Sequence, residues 1–202
     1  MVNNAMAQNS RWYNGSGIYR DVSLWLSEKT YIPLDGLRVK TLDCSTQLAT
    51  LAFDVNIIND CSKRQLQLEY VMYNDKNENV LSRSVSIIMT QRSREKIHQK
   101  VYIQQPHLWN DENPYLYCLK VRLLDDKGKI IDEVTSKVGI RKVQIDPYNG
   151  LQVNGEPVKL KGTCLHHDNG ILGAVCLPDA ERRKLTQLKD AGFHSIRSAH
   201  NP

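Results

Sequence analysis

Cys164, His166, His167 and Asp168 stand almost side by side, and Ser198, His200 and Asn201 follow about thirty-four positions later. Thiol, imidazole, carboxylate, hydroxyl and amide are the groups that bind metals, move protons or grip a polyhydroxylated ligand. As a metal site the set is poorly made: neighbouring histidines on one loop rarely ligate the same ion, and neither HExxH nor HxH is present. As a nucleophilic centre it is weaker still, because no GxSxG occurs and Ser198 has no assigned base. A neutral imidazole offers one donor and one acceptor, which matches a sugar hydroxyl. Histidines satisfied within loops fit the spacing equally well, and spacing alone leaves these two readings open. Glycoside hydrolysis needs two carboxylates, one as acid/base and one as nucleophile. Asp168 is the only carboxylate at this edge, since Asp190 falls at the end of the intervening helix.

The elements that must position these residues are legible. Val158, Leu160 and Gly162 alternate with Lys159 and Lys161, which suits a short strand. Pro178-Asp179 opens a helix, with Asp179 able to cap and Glu181 in the first turn. Leu185, Leu188 and Ala191 share a face, and Gly192 is placed to end the helix in a left-handed conformation. Phe193–Arg197 is the second strand candidate. Strand, helix and strand with short links make a βαβ unit of a parallel sheet, whose ligand edge lies at the C-terminal strand ends. The two polar groups should therefore face one cleft. A closed parallel barrel has eight such units, and the chain is expected to hold only the first of them.

Upstream the pattern changes. Leu51, Phe53, Val55 and Ile57 alternate with Ala52, Asp54 and Asn56; Leu66, Leu68, Tyr70 and Met72 do so with Gln67, Glu69 and Val71; Tyr117, Leu119, Val121 and Leu123 do so with Cys118, Lys120 and Arg122. Each strand has one apolar face, the mark of an antiparallel sheet with one side buried. Turn signals at Asn59-Asp60, Asn74-Asp75 and Asp126-Lys127-Gly128 separate the strands. About seven short strands between Tyr31 and Val143 predict an immunoglobulin-like sandwich. Val22, Leu24 and Leu26 suggest one further strand, the last piece of a preceding domain. Leu151–Gly155 runs into an Asn-Gly hairpin turn, and the domain boundary is expected near Arg141–Asp146. Trp109 is expected to pack a loop onto the sandwich, and His98 and His107 to lie at the surface.

Composition bounds the rest. Hydrophobic residues make up 41% and charged residues 24% of 202 residues, which marks a globular chain of one or two domains. The net charge is +5, and the densest basic cluster, Arg92, Arg94 and Lys96, reads as a solvated face rather than a nucleic-acid patch. No run of 18 apolar residues predicts a membrane helix, and MVNNAMAQNSR lacks a signal peptide's apolar core, which says nothing of export if the gene starts upstream. The five cysteines, Cys44, Cys61, Cys118, Cys164 and Cys176, form no CxxC and are expected to be free thiols, mostly buried or incidental.

Three stretches together resemble family 2 glycoside hydrolases, most closely the β-galactosidases. RWYNGSGIYRDVSL resembles the close of that family's N-terminal jelly-roll, and LWNDENPYLYCLKV with GIRKV the end of its immunoglobulin-like domain. LQVNGEPVKLKGTCLHHDNG with FHSIRSAHNP resembles the entry into its catalytic barrel. The resemblance implies a mainly β chain in three parts: 1–30 as a jelly-roll remnant, 31–143 as the sandwich, and 144–202 as the truncated start of a (β/α)8 TIM barrel. His166 matches the histidine of the family's GxxxH loop, a sugar contact in the −1 subsite. His200 matches the histidine of the family's R-[ST]-[SA]-H-Y-P signature, and Arg197 its arginine, which lies near the nucleophile carboxylate. Asn201 stands where the family often has Tyr, His194 where it usually has Asn, and Asp168 near a variable position. The implied substrate ligands are thus His166, His200, Arg197, Asn201 and Asp168. The resemblance places the catalytic glutamates on later barrel strands, so this segment alone is expected to be inactive.

The activity implied for the parent is retaining hydrolysis of terminal β-D-galactosides in carbohydrate catabolism. β-Glucuronidase or β-mannosidase activity, or a non-catalytic carbohydrate-binding sandwich, are the alternatives. The segment itself requires no cofactor, and the parent is compatible with a divalent or monovalent cation and with a homo-oligomer. No nucleic acid or membrane partner is implied. The compartment is open between bacterial cytoplasm and periplasm.

Overall fold

Alternating apolar side chains demand a neighbour on one face only, and most of the strands form where that demand can be met. The computed structural model describes residues 21–166, 169–173 and 175–199. The chain divides into two compact units, Leu26–Val158 and the residues on either side of it.

In the first unit, β3 (Leu48–Asn59) is the centre of a four-stranded sheet. One edge of β3 pairs with β1 (Thr30–Tyr31) and β2 (Leu37–Cys44), and the other pairs along its whole length with β6 (Ser93–Gln104). The second sheet runs β5 (Asn79–Met89), β4 (Arg64–Tyr73), β7 (Tyr117–Leu124) and β8 (Ile130–Val138) in that order, and every pairing in both sheets is antiparallel. The inward residues named above from β3, β4 and β7 are all buried in one cluster. Phe53 stacks on Tyr70 across the two sheets with ring centroids 5.5 Å apart. Each fully buried aliphatic or aromatic side chain contributes about 1.5–3 kcal/mol relative to exposure. The sandwich expected from the alternation is therefore present.

The turns are built by side chains as well as by glycine. Asn59 is the last residue of β3 and is fully buried. Its Oδ1 accepts from Thr30 Oγ1 at 2.8 Å and its Nδ2 donates to Thr90 O at 2.7 Å and Ser62 O at 3.0 Å. Asn74 Oδ1 accepts from the Lys76 and Glu78 amides, and Gly128 turns with φ +78°. Trp109 does hold its loop to the sandwich: its backbone amide donates to Ile140 O at 2.9 Å and the Arg141 guanidinium lies 4.2 Å over its ring. His98 and His107 are exposed, as expected. The five cysteines are free, but none is buried; Cys164 and Cys176 are exposed.

A three-stranded meander follows: β9 (Val143–Asp146), β10 (Gly150–Val153) and β11 (Glu156–Pro157). Asn154 and Gly155, at φ +55° and +88°, make the expected two-residue turn. The Asn154 side chain also accepts from the Lys142 amide and donates to Trp109 O, each at 2.9 Å.

Two strand expectations fail for one reason. Val22, Leu24 and Leu26 form no strand and are 77–85% exposed, and Val158–Lys161 forms none either. Alternation permits a strand, but backbone N–H and C=O groups hold one only against a paired neighbour. Residues 1–20 of the suggested jelly-roll remnant lie outside the described residues.

Candidate functional site

The described part of the second unit contains β12 (Gly162–Leu165), a short 3₁₀ turn at Gly170–Leu172, α1 (Pro178–Asp190) and β13 (Ser195–Ser198). β12 and β13 are parallel, with Gly162 opposite Ser195 and Leu165 opposite Ser198. The first strand thus begins at Gly162, where the expectation had it end, and the second is Ser195–Ser198 rather than Phe193–Arg197. Glycine suits this start: a Cβ at residue 162 would meet the Ser195 carbonyl oxygen at 2.9 Å.

The helix that joins them is bounded much as its sequence predicts, with one correction. Leu177, not Asp179, is the N-cap residue, because Pro178 takes the first helical position, where its missing N–H costs nothing. Asp179 and Glu181 sit in the first turn, and Asp179 pairs with Arg182 at 2.7 Å. At the other end Gly192 has φ +84°. Its amide donates to Lys189 O and that of Phe193 to Leu188 O, a Schellman closure.

This frame brings the candidate residues to the C-terminal ends of two parallel strands. The pairing continues past the strands, with the Ala199 amide donating to Leu165 O at 2.9 Å. His166 follows β12 directly and is half-buried, and Ala199, which follows β13, is buried. Arg197 is exposed and opposite Cys164, and its Nη1 lies 3.6 Å from the Cys164 sulfur. Cys164 is therefore a strand residue rather than part of the loop. His167, Asp168, His200 and Asn201 lie outside the described residues. Of the five predicted ligands, the structure describes His166 and Arg197.

Sequence does not single out Asn169, and it marks Glu181 only as a first-turn acid of the helix. Asn169 Nδ2 donates to Val175 O at 2.9 Å and to Glu181 Oε1 at 3.0 Å, and Lys184 pairs with Glu181 at 3.1 Å. These bonds fold the segment after β12 back onto the first turn of α1. The only available signal was an Asn before Gly170, a turn residue rather than a ligand. Among the described residues from 159 to 199 the carboxylates, Asp179, Glu181 and Asp190, are on α1, and none stands at the strand ends. No three His, Cys, Asp or Glu side chains gather as a metal site among the described residues.

Comparison with known proteins places this arrangement. Residues 30–141 match the family described as Glycosyl hydrolases family 2. A β-galactosidase from Bacteroides ovatus is 33% identical over 100% of this chain and 24% of its own length. A β-glucuronidase from Bacteroides fragilis is 32% identical over 92% of this chain and 27% of its own. A crystal structure of a glycosyl hydrolase family 2 member from Bacteroides cellulosilyticus superposes with a TM-score of 0.90 at 36% identity, covering 96% of this chain and 25% of that one. The chain thus spans about a quarter of the length of the relatives it matches. With the match running through the whole sandwich and a third of its residues shared with a relative along its full length, this chain belongs to glycosyl hydrolases family 2.

Proposed function

We propose that the protein to which this chain belongs is a retaining glycosidase that hydrolyses terminal β-D-galactosides. In this reading residues 1–30 close a jelly-roll, 31–143 are a supporting sandwich and 144–202 open a (β/α)8 catalytic barrel. The observation that carries it is the parallel pair β12–β13, which sets His166 beside the end of the neighbouring strand. His166 and His200 would hold hydroxyls of the sugar undergoing cleavage, with Arg197 near the nucleophile and Asn201 and Asp168 at the rim. Such hydrogen bonds strengthen as the ring flattens toward the oxocarbenium-like transition state. The two carboxylates that the chemistry needs would come from elsewhere in the protein, so the 202-residue chain alone would not turn over substrate.

His166→Ala and His200→Ala in the full protein should each cost on the order of 2–4 kcal/mol of transition-state stabilisation, about a hundredfold or more in kcat/KM. Steady-state rates on aryl β-galactosides check this, with His98→Ala as an unaffected control. Wild-type rates in both variants, or turnover by the bare chain, would sink the reading. β-Glucuronidase is the second reading, favoured by the 32% identical relative of that name. A higher kcat/KM on aryl β-glucuronides than on β-galactosides would select it.

A further inference from the structure

The outer face of the β2–β3–β6 sheet concentrates the chain's excess charge. Side chains directly opposite one another across a sheet share a face. Arg38 and Lys40 on β2 lie opposite Asp54 and Ala52 of β3, and these lie opposite His98 and Lys100 of β6. Lys96 lies opposite Asn56 and Arg94 opposite Ile58, on the same face. All five cations are exposed, while Ala52 and Asp54 on the central strand are buried. The result is two ridges of long cationic side chains flanking a row of short ones. With neighbouring strands about 4.8 Å apart and about 3.4 Å per residue, the trough is roughly 10 Å across and its cationic stretch on β6 roughly 20 Å long.

Only one carboxylate lies among these cations. Asp54 is held by Lys96 at 3.1 Å and His98 at 2.7 Å, and both keep its carboxyl below the ordinary range. At the far end of β2, Asp43 is neutralised by Lys142 at 3.0 Å. Arg38, Lys40, Arg94 and Lys100 have no carboxylate partner among the described residues. Beyond Lys100 the outward positions of β6 are Tyr102, 60% exposed, and Gln104. Both line a groove of about 410 Å³ with Gln105, His107 and Asn74. A row of cations that runs into an exposed ring and carboxamides suits a chain that is anionic along its length and also has apolar ring faces and hydroxyls.

We infer that this sheet face binds an acidic polysaccharide, whose carboxylates or sulfates lie along the two cationic ridges and one of whose sugar rings stacks on Tyr102. The charge of the face stands by itself; the choice of a glycan over another polyanion rests on the glycosidase reading above. Such a surface would hold polymer on the protein while chemistry proceeds at another site.

Affinity electrophoresis of the 202-residue chain tests this with polygalacturonate, a sulfated galactan, a neutral galactan and short duplex DNA as probes. Retardation by polygalacturonate or the sulfated galactan is expected, and whichever binds more tightly identifies the anionic group. The neutral galactan should not retard the chain, and DNA should bind at least tenfold more weakly than the better glycan. Lys40→Glu with Lys100→Glu, two exposed changes, should raise the glycan Kd about tenfold or more without moving Tm. Tyr102→Ala should weaken binding several-fold while leaving its salt dependence unchanged, since it removes no charge. Failure of both anionic glycans to bind, or an unchanged Kd in the double variant, would overturn the site. Equal binding of DNA, or an unaffected Tyr102→Ala, would overturn the glycan as its ligand. None of these readouts uses glycosidase activity, so they stand or fall separately from the catalytic proposal.

Discussion

Tyr70 and Asn59 are both fully buried polar residues, and they are opposites in how their polar atoms are treated. The Tyr70 hydroxyl has no hydrogen-bond partner among the described residues, and burial pushes its phenol above the ordinary range. A buried donor left unmade costs about 1–3 kcal/mol. Tyr70→Phe keeps the ring on Phe53 and should therefore raise stability by about 1 kcal/mol, read in urea unfolding as a higher midpoint with an unchanged slope. A loss of that size would mean the hydroxyl has a partner in solution. Asn59 instead spends its amide on Thr30, Ser62 and Thr90. Sequence showed that Tyr70 points inward, because alternation is a local property. It could not show whether a partner waits there, because the groups around the Tyr70 hydroxyl come from other strands. Asn59 was legible only as a turn residue for the same reason. At the candidate site, His166 and Arg197 are proposed from their motif neighbours, whereas Asn169 is invisible to sequence because its role is a bond to a helix residue twelve positions away.

Elements whose signal is local were read well. The Asn154-Gly155 turn needs two positive φ values and has them, and α1 ends where Gly192 permits a left-handed residue. The start of β12 was misread, since Val158 and Leu160 imitate a strand and only the pairing with β13 decides where one begins. That pairing rests on a close backbone approach at Gly162. Gly162→Ala would put a methyl group 2.9 Å from the Ser195 carbonyl oxygen, which has no flexible end to swing away. The variant should lose amide-exchange protection at Ala199 and Ser195, while Phe53 and Leu68 in the sandwich keep theirs. Unchanged protection at Ala199 would show that β12 and β13 tolerate a wider spacing.

At the scale of the whole molecule, the sandwich was legible because three long strands repeat the same alternation, whereas nothing local reveals which strand lies beside which. The compact unit runs to Val158, whose amide still donates to Leu151 O at 2.8 Å; Lys159–Lys161 beyond it are exposed and form no strand. Limited trypsinolysis should therefore release a resistant product ending at Lys159 or Lys161. A product ending at Arg141 or Lys142 would show that the meander comes away from the sandwich. The Ile32 amide donates to Asp132 Oδ2 at 2.7 Å across 100 positions of sequence, and β3 must wait for β6, and β4 for β7, before either sheet is whole. Contacts of such span tie the rate of folding to chain closure rather than to local preference. On a ribosome, β1 would leave the exit tunnel and meet β3 long before β8, which carries Asp132, was translated, so the Ile32 amide beside the first strand of this unit is among the last groups to be secured.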